Sequence, residues 1–148
     1  MIAAFGIPEE PEPGILGDPP GVNAVHLTLL KPDGSGKADM EKPKRIIGSP
    51  GHRPIVLAPP NDLLGLAITE GVEDALSVRQ ATGLGAWAAG SATFMPALAD
   101  VVPDYIEAVH VVVDDDDTGR RYGRELVNRL RVRGFEVFPR LLRASEAA

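Results

Sequence analysis

The chain contains no cysteine, which excludes disulfide frameworks, zinc ribbons, iron–sulfur clusters and cysteine nucleophiles. Histidine is scarce too. His26, His52 and His110 stand far apart with no HxH or HxxxH spacing, so a metal would be held mainly by oxygen, and a hard ion such as Mg²⁺ suits the composition better than zinc. No run of eighteen apolar residues occurs, and the opening MIAAFGIPEE lacks the basic and apolar regions of a signal peptide. These absences argue against a membrane span and against secretion, so a cytoplasmic chain is expected. What is present, 148 residues with 44% hydrophobic and 24% charged side chains, suffices for one globular domain or slightly more.

The net charge of -6 is unevenly spread: residues 1–117 carry 7 basic and 18 acidic side chains, and residues 118–148 carry 8 arginines and 3 acids. The acidic total argues against a chain that coats itself with nucleic acid, while the basic stretch allows a local phosphate contact or simply a solvated helix face.

Eleven of the fourteen prolines lie in residues 1–60, a density incompatible with long helices or a central sheet. Residues 1–21 are expected to form an extended Pro-rich arm. Residues 22–60 read as a small antiparallel β subdomain with strands at 22–30, 45–47 and 54–58, the first with Val25, Leu27 and Leu29 on its packed face and His26 and Thr28 opposite. The turn-rich KPDGSGK lies between the first two.

From residue 61 to 148 strands and helices alternate. Strands are expected at 66–69, 86–89, 109–113 and 136–138. Helices are expected at 71–82, with Val72, Ala75 and Leu76 inward and Gly83 as stop signal, at 96–100, and at 119–133, with Leu126, Val127 and Leu130 inward. Such alternation implies an α/β fold with a mostly parallel four-stranded sheet and helices on both faces. Ligands of such sheets bind beyond the carboxyl ends of the strands.

The chemical signal is concentrated in HVVVDDDDTGRR, where a buried strand runs into four aspartates. Like charges so close are best tolerated with a cation or solvent to neutralise them, and a solvated loop tip near a helix N-terminus is the plain structural reading. A calcium loop of the EF-hand kind would place Asp114, Asp116, Thr118, Gly119 and Glu125 at ligand positions, but it needs a helix where residues 109–113 read as strand. The phosphatase pattern DxDxT needs further motifs that the remaining 30 residues do not supply. A Walker B acid needs a phosphate loop, and DGSGKA lacks its first glycine and its magnesium-binding hydroxyl.

The fourth reading joins this run to LAITEGVEDAL, which puts Glu70 at the end of the first parallel strand and Gly71 at the opening of a helix, with Asp74 four residues beyond Glu70. Gly90 and Ser91 follow the second strand. Asp114, Asp116 and Gly119, followed by Arg120, form a DxDxxG element after the third. In this order and context the motifs resemble the Toprim domain of bacterial primases, topoisomerases, OLD-family nucleases and small RNA-maturing nucleases, over residues 66–138. Within that family EGVEDALSVRQATG and DDDDTGRRYGREL look most like the primases of phages and mobile elements, and KPKRIIGSP looks like the basic segment that precedes the catalytic core in replicative primases.

The resemblance implies Mg²⁺- or Mn²⁺-dependent nucleotidyl transfer, with Glu70, Asp114 and Asp116 converging in one crevice as catalytic and metal-binding groups and Asp74 as a further metal carboxylate. It also implies contacts to nucleotide or nucleic acid from Gly71, Gly90, Ser91, Gly119, Arg120, Arg121, Lys44 and Arg45. Single-stranded DNA template and nucleoside triphosphates are the expected partners, with a helicase domain or subunit. Two departures stand out: only Glu146 supplies acid after the last strand, and neither a zinc module nor a helicase accompanies the domain. A fragment of a larger primase-helicase, or a reduced relative making little primer alone, is expected on those grounds. A metal-dependent nuclease and a non-catalytic nucleic-acid-binding module are the alternatives. A topoisomerase is disfavoured, since Tyr105 and Tyr122 have ordinary packing explanations.

Overall fold

The computed structural model describes residues 1–12 and 14–142. Strands β1 (Ile2–Phe5), β2 (Ala24–Thr28) and β3 (Lys44–Gly48) form a small antiparallel sheet in that order. The remainder runs β4 (Ile55–Ala58), β5 (Gly65–Thr69), α1 (Val72–Thr82), β6 (Gly85–Ala88), a 3₁₀ helix (Ala92–Asp100), β7 (Ala108–Asp114), α2 (Asp117–Val132) and β8 (Glu136–Leu142). Its sheet has the order β4-β6-β5-β7-β8, with β5 to β8 mutually parallel and β4 antiparallel at one margin. The four expected parallel strands are present. β8 lies at the other margin and carries Pro139 opposite Val111.

Both faces of the parallel strands are covered, which is why β5 and the valine-rich β7 show almost no polar alternation. On one face Leu66, Ile68, Val109, Val111 and Val113 pack against Met95 and Leu98 of the 3₁₀ helix and Leu126 and Leu130 of α2. On the other, Ala86 and Ala88 meet Val72 and Ala75 of α1, together with Phe5 and Ile55. Helix α1 stops where Gly83 takes a left-handed φ of 73° and returns its N–H to Arg79, a conformation that favours glycine. Helix α2 begins at Asp116, whose Oδ1 accepts the Gly119 N–H at 2.7 Å. Its glycines face β7: a Cβ on Gly119 would stand 2.5 Å from the Asp114 carbonyl oxygen, and one on Gly123 would stand 2.7 Å from Val113 Cγ1.

Several expectations are corrected. The first residues are not all a free arm, because β1 pairs with β2 and Phe5 is fully buried against the main sheet. Strand β2 is turned over: Ala24, His26 and Thr28 are its buried positions, whereas Val25 and Leu27 are half-exposed and Leu29 is exposed. The small Ala24 and the mutually facing His26 and Thr28 (Nδ1 to Oγ1, 3.5 Å) let this face approach the main domain closely. The segment at 54–58 belongs to the main sheet as β4, and Leu76 of α1 is 47% exposed. Glu146 lies outside the described residues.

Candidate functional site

The order in which strands are added reverses at the middle of the main sheet. β5 connects through α1 to β6 on one side, while β7 lies on the other side of β5 and feeds α2 on the opposite face. A switch of this kind opens a crevice at the carboxyl ends of the two central strands. Thr69 pairs in register with Val112, so Glu70 and Asp114 emerge at the same end of adjacent parallel strands, with Asp114 one residue further along its strand.

The backbone around Glu70 is fixed on all sides. Its carbonyl accepts the Gly90 N–H at 2.8 Å, Ala89 N–H donates to Thr69 at 2.9 Å, and the buried Thr69 hydroxyl donates to the Gly71 carbonyl at 2.7 Å. Asp114 is held where Gly119 lets α2 press onto its carbonyl, and Asp116 is held by its cap on the same glycine. Asp74 lies one turn into α1, its Oδ2 filling the space above Gly71, where a Cβ would stand 2.8 Å from it.

The acids sense one another. Burial first and the charge of Asp114 second raise the Glu70 carboxyl above its ordinary range, with Asp116 adding to the rise and the Ala92 N–H and Lys44 opposing it. Burial, Asp114 and Glu73 likewise raise Asp74, against Lys44 and Lys37. Among the described residues no three His, Asp or Glu side chains are grouped to hold a metal ion, so Glu70, Asp114 and Asp116 do not form a ligand set as they stand. The donors are all carboxylate oxygens, and Mg²⁺ is typically held by one or two carboxylates with substrate phosphates and waters completing its shell. In chemical type, though not as a closed group, these donors are of the kind Mg²⁺ or Mn²⁺ takes.

The other sequence-derived residues divide. Lys44 lies on the inner face of β3 with its Nζ 3.2 Å from Glu73 Oε2; Arg45, one residue on, projects from the opposite face of the strand. Gly90 has φ 81° and its missing side chain makes room for the Phe5 ring, 2.7 Å from where a Cβ would be. With its N–H committed to Glu70, it has none to offer a phosphate. Ser91 Oγ lies 3.1 Å from Thr93 Oγ1. Arg120 is paired with Asp115 at 2.5 Å and 2.8 Å, and the Arg121 guanidinium sits over the Tyr122 ring. Sequence reasoning missed Lys37, whose Nζ reaches Glu73 Oε1 at 3.3 Å. The glycine-rich turn around it was the available signal.

Fold and crevice together define a doubly wound α/β domain with an acidic site at its topological switch point. The family model for the Toprim domain matches residues 65–146, more than half of the chain, and the chain belongs to that family. No curated protein matches it. Among solved structures it is similar to the primase fragment of the bacteriophage T7 primase-helicase protein, with a TM-score of 0.48 and 19% identity over 77% of this chain and 52% of that one. The chain thus spans about half the length of that fragment. Among the described residues no helix is long and apolar enough to cross a membrane.

Proposed function

We propose that the chain is the Toprim core of a DNA primase-like protein, performing Mg²⁺- or Mn²⁺-dependent nucleotidyl transfer from nucleoside triphosphates on a single-stranded DNA template. A helicase, as a further domain or subunit, is the partner that would keep it on the template. The observation that carries this reading is that Glu70 and Asp114 stand at the carboxyl ends of the adjacent parallel strands β5 and β7, at the topological switch point of the sheet, with Asp116 fixed two residues on as the cap of α2.

Asp114 and Asp116 would hold the ion, with Asp74 beside them; the ion would neutralise the triphosphate and activate the 3′-hydroxyl. Asp116 can do so while capping α2, because the cap uses only Oδ1. Glu70 retains its proton to higher pH than an ordinary carboxyl, which suits a group that exchanges a proton with the attacking or leaving oxygen. Gly71 begins α1 without a side-chain cap, which would let N–H groups of the first turn other than that of Glu73, engaged by its own carboxylate, meet a phosphate oxygen. Gly119 acts by letting Asp114 and α2 meet. Arg120 and Arg121 would reach nucleic-acid phosphates from the start of α2, Arg120 by exchanging Asp115 for phosphate.

Calorimetric titration of a nucleoside triphosphate with and without Mg²⁺, on the wild type and Asp114→Asn, tests the reading. Mg²⁺ is expected to tighten nucleotide binding in the wild type and not in the variant, and labelled dinucleotide formation with Mn²⁺ is expected to be lost in the variant. Equal nucleotide affinity with and without Mg²⁺ in the wild type would overturn the proposal.

A further inference from the structure

The turn KPDGSGK, set aside as a phosphate loop on sequence grounds, reaches the site by another route. Lys37 lies within the connection between β2 and β3, where it bridges to Leu30, and its ammonium reaches from there to the first turn of α1. There it meets Glu73 Oε1 at 3.3 Å, while Lys44 from β3 meets Glu73 Oε2 at 3.2 Å. One carboxylate is thus held between two ammoniums from different parts of the chain, one on each oxygen. The three side chains are all partly open to solvent, so an incoming ligand can reach them. Glu73 is followed directly by Asp74, whose Oδ2 lies above Gly71, so the pair of ammoniums stands beside the acids that open α1.

Two ammoniums addressing two oxygens of one anion is also the arrangement that binds a phosphate, for which lysine serves as a mobile point charge. Glu73 carries one negative charge against two positive ones, so the trio by itself is net positive, and a more highly charged anion gains more from the two ammoniums than Glu73 does, against the repulsion of the neighbouring Asp74 and Glu70. We propose that Lys37 and Lys44 form a polyphosphate site in which Glu73 is an internal stand-in, released when the pyrophosphate portion of a nucleotide takes the two ammoniums. This rests on the nucleotidyl-transfer reading for the identity of the anion. Glu73 is a positioning residue here: it keeps both lysines extended over the crevice.

The test is binding of inorganic pyrophosphate to the full chain in excess chelator, followed by calorimetry, so that the divalent-metal site takes no part. Lys37→Met is expected to weaken binding about tenfold, the loss of one charge-assisted contact, and Lys37→Arg to restore most of it. Glu73→Gln removes the competing anion and is expected to tighten binding three- to tenfold, whereas Glu136→Gln, which removes the same charge from β8, is expected to leave it unchanged. Weaker or unchanged binding in Glu73→Gln, with thermal melts showing that the variant is folded, would make Glu73 a strap between the small sheet and α1 and overturn the proposal. So would unchanged binding in Lys37→Met, or equal tightening in Glu136→Gln. Pyrophosphate binding that behaves as expected in a chain without Mg²⁺-dependent nucleotide binding would refute the transferase reading alone.

Discussion

Replacing Gly119 by alanine sets two effects of opposite sign against each other. Alanine favours a helix over glycine by about 1 kcal/mol, and by that measure the change would stabilise α2. The new Cβ, however, would lie 2.5 Å from the Asp114 carbonyl oxygen and 3.3 Å from its carbonyl carbon and amide nitrogen. These are backbone atoms at the end of a strand paired on both sides, so no side-chain rotation relieves the contact. Either the first turn of α2 retreats by about half an ångström or more, or the Asp114 peptide turns; both loosen the 2.7 Å cap from Gly119 to Asp116. Overpacking costs about 1–3 kcal/mol and a weakened cap about 1 kcal/mol. The net expectation is a loss of about 2 kcal/mol, a fall of about 4–8 °C in Tm for a chain of this size. Calorimetric or circular-dichroism melts at equal pH and salt measure it, with Gly134→Ala as comparison, since that site has φ 94° and nothing within 4 Å of a Cβ. A Gly119→Ala chain that melts at or above the wild-type temperature would show that helix propensity wins and that the close approach at Asp114 is not a constraint.

Without divalent metal, Asp114→Asn should raise Tm by about 1–3 °C: at an effective dielectric near that of a wet surface, and discounted for the exposure of these groups, removing its repulsion of Glu70 and Asp74 returns about 0.5–1 kcal/mol. Adding Mg²⁺ should then stabilise the wild type more than the variant, and an apo variant less stable than the wild type would refute the argument. His26, pushed below its usual 6.5 by burial and then by Lys44, binds its proton first in the unfolded chain. The stability carried by its neutral form is therefore present above about pH 6.5 and drains away as pH falls toward the lower folded-state value; denaturant titrations between pH 7 and 5 should show a shallower decline in His26→Gln than in the wild type. Phe5→Ala should cost about 3–5 kcal/mol, because the ring is fully buried and fills the space above Gly90. A loss under 1 kcal/mol in chemical denaturation would mean that β1 is dispensable.

The elements most legible in the sequence were those whose burial is two-sided or whose ends carry specific chemistry. The β-branched run of β7, the apolar stripe of α2 and the glycine after α1 each point to one structure, and the acids at the ends of β5 and β7 follow from them. The strand at 54–58 was legible as a strand but not as a member of the main sheet, because an edge strand four residues long says nothing about its partner. The face of β2 was misread since both of its sides are half apolar, and burial went to the side with the smaller Ala24 and the paired His26 and Thr28. Phe5 was hidden by the proline-rich stretch that follows it, which made the whole N-terminal segment read as an arm. Lys37 could not be placed from spacing alone, because its contact with Glu73 joins the connection between β2 and β3 to a helix far along the chain. The left-handed φ of Gly90 and its room for the Phe5 ring were not legible either, because both depend on where β1 packs.

The two margins of the main sheet bear on how the chain behaves at high concentration. An outermost strand ordinarily exposes a row of donors and acceptors that can template another chain, the route to edge-to-edge association and fibrils. At the β4 margin that row is interrupted by an irregularity between Val56 and Ala58, followed by Pro59 and Pro60, and is met by the continuation of β1, where Gly6 N–H donates to Pro54. At the β8 margin Pro139 sits in mid-strand, supplying no N–H and presenting its ring to any strand that approaches. Both rims are thereby poor seeds for sheet growth, and the extended, apolar middle strands are kept from recruiting copies of themselves.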